Sequence, residues 1–268
     1  MLDLTQRLLA AADGSDEPVI LASILEAGPR DLQPGARLLV GRSGTRMGSL
    51  GDQALDEAIA AHAITAFARH GAETLYVGPA GDLNARTVAG ATSIYVEVVE
   101  DRPVFLVVGA GHIGRCLARL ASFLDFHVAV IDDREDFANE EHLPGATEVI
   151  CEDYEAALEK YPIDGNTSIV MVTRGHKQDE LSLRKCLGRG AGYLGMIGSK
   201  RRTSAVLEHL REEGFDAAEL EAIRTPIGLD IGAETPEEIA ISIMAEVIML
   251  RRGASGSVMY HRAGGPRE

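Results

Sequence analysis

The spacing of apolar positions divides the chain into two parts with different patterns. In the first part, apolar residues recur at helical spacing over Asp52–Arg69. Gly71 is expected to end that helix, because glycine readily adopts a left-handed backbone. Residues 19–26 fit either a strand or a helix. Strands are predicted at Ala36–Val40, Glu73–Val77 and Ser93–Val98. Together these elements predict a small α+β domain over residues 1–98.

From residue 104 onward, short apolar strands alternate with helical stretches. The predicted strands are Phe105–Val108, His127–Ile131, Glu148–Cys151, Ser168–Val172 and Gly192–Ile197. The helices between them include Gly114–Leu124, Tyr154–Lys160 and Lys177–Leu187. A last apolar helix, Pro236–Arg251, is expected to start from a Thr235 cap. Such alternation predicts an α/β domain over residues 99–268, with a Rossmann-like parallel sheet covered by helices on both faces.

A glycine-rich turn joins the first of these strands to its helix. Gly109, Gly111 and Gly114 follow the G-x-G-x-x-G spacing. In a dinucleotide-binding turn the first glycine permits the tight bend, and the second lets the backbone approach the phosphates. The third lets helix and strand pack closely, and the helix start attracts the anion. The same glycines would also serve a strand–helix turn that binds no nucleotide, and both interpretations stay open here.

The residues around this turn indicate how the ribose of a bound nucleotide would be recognised. The second strand ends at Asp132, whose carboxylate would accept hydrogen bonds from a ribose diol and repel a 2′-phosphate. Asp133 precedes Arg134, a cation that could instead accommodate such a phosphate, but we expect NAD to be preferred over NADP. Within the turn, Ile113 follows His112, whose ring either touches a bound phosphate or faces solvent.

Two later loops also follow predicted strands and carry candidate binding residues. Thr173 lies at the end of one strand, and His176 and Asp179 lie close enough on the next helix to share a face. A second loop places cations where a helix starts, which opposes the helix dipole unless an anion binds there. The alternative without a ligand is a solvated basic turn in which the serine caps the helix. This second set consists of Gly198, Ser199, Lys200 and Arg201.

Charge and composition exclude several classes of protein. The net charge of −15 opposes binding to nucleic acid, and no apolar run is long enough to predict a membrane span. The first residues lack a basic head with an apolar stretch, which favours a cytoplasmic protein. Three widely spaced cysteines without a C-x-x-C pair predict neither a structural metal site nor a disulfide framework. Cys116, Cys151 and Cys186 are therefore expected to be small core residues.

Several linked motifs in the second part resemble the XdhC/CoxF family, also called CoxI, of maturation factors for molybdenum hydroxylases. The resemblance implies binding of the molybdenum cofactor and help with its sulfuration. It further implies delivery to a xanthine or carbon monoxide dehydrogenase apoenzyme, and hence an accessory protein rather than a turnover enzyme. A cysteine desulfurase and a second copy of the chain are further implied partners. The motifs are Gly109–Gly114, Val130–Arg134, Val172–His176 with Asp179, Tyr193–Arg201, Pro226–Gly232 and Thr235–Ala240.

The first domain resembles the family less closely, at Gly28–Arg30, Pro34–Val40 and Gly48–Leu50. Ala54 stands where the family usually has a cysteine, so any step that needs that thiol is in question. Two other functions remain open. The glycine turn and Asp132 suit a NAD-dependent oxidoreductase, with His176 as its candidate acid or base. A module that senses an adenine nucleotide without chemistry is the third alternative.

Overall fold

The computed structural model describes residues 3–28, 30–78, 82–84 and 91–259. The chain divides after Arg102 into two compact units. The first unit contains, in chain order, α1 (Leu4–Ala12), β1 (Val19–Glu26), β2 (Arg37–Gly41), β3 (Arg46–Ser49), α2 (Gln53–Arg69), β4 (Ala72–Val77), β5 (Leu83–Asn84) and β6 (Thr92–Val99). Its strands form one antiparallel sheet in the order β3-β2-β1-β6-β4-β5.

Alternate residues of the central strand β1 face the two helices of the first unit. Ile20 and Ile24 join the core beneath α2, whereas Val19 and Leu21 join a smaller cluster beside α1. The alternation follows from the two-residue period of a strand. Residues 19–26, for which the sequence left both states open, thus form a strand with two covered faces.

The long helix α2 begins and ends with recognisable caps. The Asp52 carboxylate accepts the backbone N–H groups of Ala54 at 2.9 Å and Leu55 at 3.1 Å. At the other end, His70 takes the left-handed conformation, with φ 47°. The expectation that Gly71 ends the helix is therefore wrong by one residue. His70 is held there by its ring Nδ1, which lies 2.8 Å from a Glu100 carboxylate oxygen.

The second unit contains a sheet of five strands in the order β11-β10-β7-β8-β9, all parallel. This order, with neighbours on both sides of the first strand, is that of a doubly wound Rossmann sheet. Its elements are β7 (Val104–Val108), α3 (His112–Phe123), β8 (His127–Ile131), β9 (Glu148–Ile150), α4 (Tyr154–Lys160), β10 (Thr167–Met171), α5 (His176–Cys186), β11 (Tyr193–Met196), α6 (Lys200–Glu212), α7 (Ala217–Ala222) and α8 (Pro236–Arg251).

Helices cover both faces of this sheet, as predicted. Phe105 and Val107 of β7 pack into the core formed with α3 and α8, while Leu106 and Val108 pack toward α4 to α7. All four side chains are fully buried. The sequence of this central parallel strand is therefore a continuous apolar run, because neither of its faces contacts solvent.

The last helix, α8, starts as its sequence predicts. The Thr235 hydroxyl accepts the Glu238 backbone N–H at 3.2 Å, and the Glu238 carboxylate accepts the Thr235 N–H at 3.0 Å. This reciprocal capping box fixes the helix start at Pro236. The described helices include none with the length and apolarity that crossing a bilayer requires.

The cysteines differ in their surroundings more than the sequence suggested. Cys186 is buried and Cys116 is half-buried, but Cys151 is exposed, so its assignment to the core is wrong. Cys151 directly follows the short edge strand β9, beyond the helices that cover the sheet. Burial raises the pKa of the Cys186 thiol to about 12 and also raises the pKa of Cys116. Neither thiol is therefore activated as a nucleophile.

Candidate functional site

The glycine turn lies at the carboxyl edge of the second unit's sheet, beside the loop that follows β10. A Cβ atom on Gly109 would lie 2.8 Å from the Val172 carbonyl oxygen and 3.0 Å from the Thr173 nitrogen. These two loops leave β7 and β10, the adjacent strands at which the strand order reverses. Open α/β sheets bind ligands in the crevice at such a switch point.

The three glycines of the turn have different roles. Gly109 has φ +110°, and its backbone presses against the neighbouring loop. A Cβ on Gly114 would lie 1.9 Å from the Gly109 carbonyl oxygen, so close helix–strand packing requires glycine there. A Cβ on Gly111, by contrast, would meet no described atom within 4 Å, and φ is an ordinary −66°. The open space at Gly111 is therefore the part of the turn that a ligand could fill.

Three helices start at this edge with no side-chain cap among the described residues: α3, α5 and α6. Their N-cap residues are Gly111, Gly175 and Ser199. Ser199 occupies the cap position that the sequence predicted, but its hydroxyl makes no capping hydrogen bond. Other helices are capped by side chains of Asp52, Asp153, Asp216 and Thr235. The first-turn N–H groups of α3, α5 and α6 are thus suited to an anion.

Asp132 lies at the end of β8, fully buried, and both of its oxygens are bound within the protein. Oδ1 accepts the Arg134 Nε–H at 2.8 Å, and Oδ2 accepts the Arg134 Nη2–H at 2.8 Å. Oδ2 also accepts the Ala110 backbone N–H at 2.7 Å. Burial alone would raise the pKa of Asp132, but these bonds hold that pKa below its usual value.

Arg134 occupies the Asp132 oxygens to which the hydroxyl groups of a ribose would be expected to bind. Its guanidinium carbon lies 3.6 Å from the centre of the Phe137 ring, a cation–π contact that adds to the Asp132 bonds. A ribose diol could reach Asp132 only by displacing Arg134. The pairing of Asp132 with Ala110 also ties the end of β8 to the glycine turn.

Thr173 and Asp179 form a buried pair where α5 begins. The Thr173 hydroxyl donates to Asp179 Oδ1 at 2.5 Å. Burial raises the pKa of Asp179 to about 6, although hydrogen bonds from Thr173 partly oppose that rise. The sequence placed Asp179 on a face with His176, whose side chain lies outside the described part of the structure. Asp179 is buried, and its bond fixes the orientation of the Thr173 hydroxyl.

Asp179→Asn should change how stability depends on pH. An unfolded carboxyl group loses its proton near pH 4, whereas folded Asp179 keeps its proton up to about pH 6. The folded state therefore binds more protons in this interval, and wild-type stability falls as pH rises through it. Relative to wild type, the variant should gain about 3 kcal/mol of unfolding free energy between about pH 3.5 and pH 7. Urea unfolding across this range measures the gain, with exposed Asp136→Asn as the control. A constant difference at all pH values would contradict the burial argument.

A cavity of about 260 Å³ opens at the same edge of the sheet. Tyr154 forms part of its wall, and sequence reasoning did not single this residue out. Its position at the first turn of a helix after β9 was the available signal, because that turn lies at the carboxyl edge. Burial and the nearby carboxylates of Asp132 and Asp133 raise the pKa of Tyr154, so the phenol stays protonated. The lining residues are Asp133, Tyr154, Thr173, Arg174, Gly175 and Gln178.

The other sequence candidates lie nearby with differing exposure. His112 is exposed, whereas Ile113 is partly buried against the core beneath α3. Arg201 is exposed in the first turn of α6, and the side chain of Lys200 lies outside the described part of the structure. The glycine turn, the Thr173 loop and the start of α6 thus follow three neighbouring strands of the sheet, β7, β10 and β11, at the same edge.

One group of described residues has the geometry to hold a metal ion: Glu180, His209 and Glu213. Arg184 already bonds to both carboxylates, at 2.5 Å from Glu180 Oε1 and 2.6 Å from Glu213 Oε1. His209 Nδ1 lies 2.7 Å from Glu180 Oε1. The group is an ion-pair network that joins α5 to α6, in which a cation already neutralises the carboxylates.

In the first unit, Ala54 lies exposed in the first turn of α2. Its backbone N–H is bound by the Asp52 cap. Asp56, two residues further on, is also occupied, because its carboxylate accepts the Leu50 N–H at 2.8 Å and the Ser49 hydroxyl at 2.7 Å. The position at which the resemblance implies a thiol is thus a surface helix start with a methyl side chain.

Comparison with known proteins gives named relatives. The probable A subunit of xanthine dehydrogenase from Bacillus subtilis (strain 168) is 29% identical over 161 residues, which are 60% of this chain and 47% of that protein. The molybdenum cofactor insertion chaperone PaoD of Escherichia coli (strain K12) is 29% identical over 89 residues, 33% of this chain and 28% of that protein. The chain thus spans less than half the length of these curated relatives.

A solved structure and two family models cover more of the chain. The crystal structure of a xanthine dehydrogenase from Bacillus halodurans aligns with 91% of this chain and 94% of its own, with a TM-score of 0.53 and 21% identity. That likeness shows a shared fold. The XdhC Rossmann domain model matches residues 105–247, and the XdhC and CoxI family model matches residues 12–78. The chain belongs to the XdhC and CoxI family.

Proposed function

We propose that this chain is a maturation factor that binds the molybdenum cofactor and delivers it to a molybdenum hydroxylase apoenzyme. Membership of the XdhC and CoxI family supports the proposal, as does the likeness to a protein named a molybdenum cofactor insertion chaperone. The observation that carries it is the group of three uncapped helix starts at one sheet edge, beside the open space at Gly111.

The residues at this edge fit a phosphorylated pterin. The backbone N–H groups at the starts of α3, α5 and α6 would hold the phosphate, and Arg201 adds an exposed cation nearby. When bound, the cofactor supplies the redox-active molybdenum that the partner hydroxylase uses. The chain itself would hold the anion through main-chain N–H groups. This binding requires no side chain to gain or lose a proton.

The pairing of Asp132 argues against a NAD-dependent oxidoreductase. That function would use Asp132 to accept the ribose hydroxyls, but the carboxylate already accepts bonds from Arg134 and Ala110. Displacing Arg134 would leave its charge without the buried partner, at a cost of several kcal/mol. A ligand held by its phosphate alone makes no such demand.

The sulfur that matures the cofactor would come from another protein. All three cysteines of the chain follow Arg102, and Ala54 takes the position of the thiol in the first unit. Burial raises the pKa of Cys116 and Cys186, which makes both poor sulfur carriers and leaves the exposed Cys151 as the one thiol of the chain that burial does not deactivate. We therefore propose a cysteine desulfurase as a second partner. A second copy of the chain is a further proposed partner.

Gly111→Val should strongly reduce retention of the cofactor while the protein still folds. The side chain would enter space that is free of described atoms, and it would occupy the phosphate position. Loss of one charge-assisted contact weakens binding by about 10- to 150-fold. The measurement is the molybdenum content and oxidised-pterin fluorescence of protein purified from its own host.

The matched control is Gly165→Val, because Gly165 precedes β10 at the opposite edge of the sheet and has room for a side chain. The control variant should retain the cofactor at the wild-type level. Equal cofactor content in all three proteins would refute the anion site. Absence of pterin from the wild-type protein would refute the proposed function itself.

A further inference from the structure

The cavity of about 260 Å³ beside the glycine turn is lined by the acceptors Asp133 and Thr173 and also by Arg174 and Gln178, which can donate hydrogen bonds. Asp133 contributes a carboxylate that is 45% exposed, and its one ion-pair contact among the described residues is a long one, 3.9 Å to Arg134 Nε. An ionised carboxylate has no proton to donate. Asp133 can therefore receive two N–H groups from a molecule in the cavity.

Thr173 is also turned into an acceptor. A threonine hydroxyl has one proton, and Thr173 commits that proton to Asp179 at 2.5 Å. One lone pair of its oxygen accepts the Gly175 N–H at 3.5 Å, and the other is left for the cavity. Asp179 is buried behind Thr173, so the ligand meets the hydroxyl oxygen and not the carboxylate.

Tyr154 adds an aromatic wall to these acceptors. Its side chain is buried, so the phenol ring is held in place by the packing around α4. A fixed aromatic ring beside hydrogen-bond acceptors suits a flat heterocycle that carries N–H groups. The cavity therefore offers a carboxylate, a hydroxyl oxygen and an aromatic wall to a flat ring that carries N–H groups.

We propose that this cavity binds the 2-amino-4-oxo-pyrimidine edge that guanine and pterin share, with Asp133 accepting its two adjacent N–H groups. Two parallel N–H donors match the two oxygens of a carboxylate, whereas adenine presents a lone pair next to its amino group. The inference rests on the proposed function, because the neighbouring helix starts would hold the phosphate of the same ligand. The contact of Gly109 with Val172 and Thr173 places cavity and phosphate site side by side.

Calorimetry of the full chain with GDP, IDP and ADP tests this assignment. IDP differs from GDP only in lacking the 2-amino group, so the pair isolates one hydrogen bond to the carboxylate. We expect GDP to bind about 10- to 100-fold more tightly than IDP or ADP. Asp133→Asn should remove that preference, because an amide oxygen and NH₂ group cannot accept both donors. Asp136→Asn, an exposed acid in the same loop, should leave the preference intact.

Competition with 6-carboxypterin then distinguishes between the two kinds of ligand that carry this edge, a pterin and a guanine nucleotide. Displacement of GDP supports a pterin as the natural ligand, and absence of displacement supports a guanine nucleotide in the same cavity. Equal affinities for GDP, IDP and ADP would overturn the inference and leave the anion site standing. A GDP preference that survives Asp133→Asn would overturn it as well. Failure of all three diphosphates to bind would overturn the inference and would also count against the anion site of the proposed function.

Discussion

Gly114→Ala should destabilise the second unit by at least about 3 kcal/mol, whereas Gly111→Ala should leave its stability nearly unchanged. The added methyl group at Gly114 would lie 1.9 Å from the Gly109 carbonyl oxygen, a main-chain atom held by the turn. In a helix without this contact, alanine would be about 1 kcal/mol better than glycine. The close approach therefore reverses the sign of an ordinarily favourable substitution.

Gly111 is the matched control, since it belongs to the same turn and has φ −66°, which alanine adopts without strain. Urea unfolding followed by circular dichroism would measure both variants. If Gly114→Ala matched wild type, the helix would have to tilt away from the turn at little cost. That result would contradict the tight packing of α3 on β7.

Asp132→Asn is the second substitution with a large expected effect, at about 3–5 kcal/mol of destabilisation. The variant keeps the shape of the side chain but leaves the charge of Arg134 without its buried partner. It also places an amide group, with two donors of its own, against donors from Arg134 and Ala110. Arg134→Met should lower the free energy of unfolding by a similar amount, because it leaves the buried Asp132 carboxylate without its cation.

A double-mutant cycle would separate this pair from its surroundings. The cycle measures Asp132→Leu and Arg134→Met singly and together, and the double variant should recover much of the loss, because an apolar pair needs no charge compensation. The lowered pKa of Asp132 fixes the sign of its pH dependence. Its stabilising contribution is present above the unfolded pKa near 4 and is lost as pH falls through the lower folded pKa. Additive losses in the double variant would show that the two side chains do not stabilise each other.

Strands and helices of the second unit were largely predictable, because the strands inside the sheet, β7, β8 and β10, contain continuous apolar runs covered on both faces. The bounds of α4 and α8 agree with the sequence prediction, and a cap residue precedes each: Asp153 and Thr235. The end of α2 was misplaced, because the left-handed His70 depends on a bond to Glu100, thirty residues away. Local sequence carries no sign of such a partner.

The candidate site was predictable in its location but not in its internal contacts. Strand order and the glycine spacing indicate the sheet edge, but they do not show that Asp132 is already bound. That carboxylate is sequestered by a neighbour two residues away and by an N–H group across the turn. Tyr154 escaped notice for a related reason. An aromatic residue at a helix start is usually a core residue, and only the fold places this one beside Asp133 and Thr173.

The uncapped helix starts have a consequence for how such a chain can diverge in sequence. Donors that belong to the main chain are present whatever side chains surround them, so no particular polar residue has to be inherited for an anion to be held. What must be kept is the absence of a capping side chain. A residue at the position of Gly111 or Gly175 must not accept the helix N–H groups itself. A lineage could thus exchange many side chains at this edge, or lose a thiol elsewhere, and still keep the main-chain donors that we propose hold the phosphate.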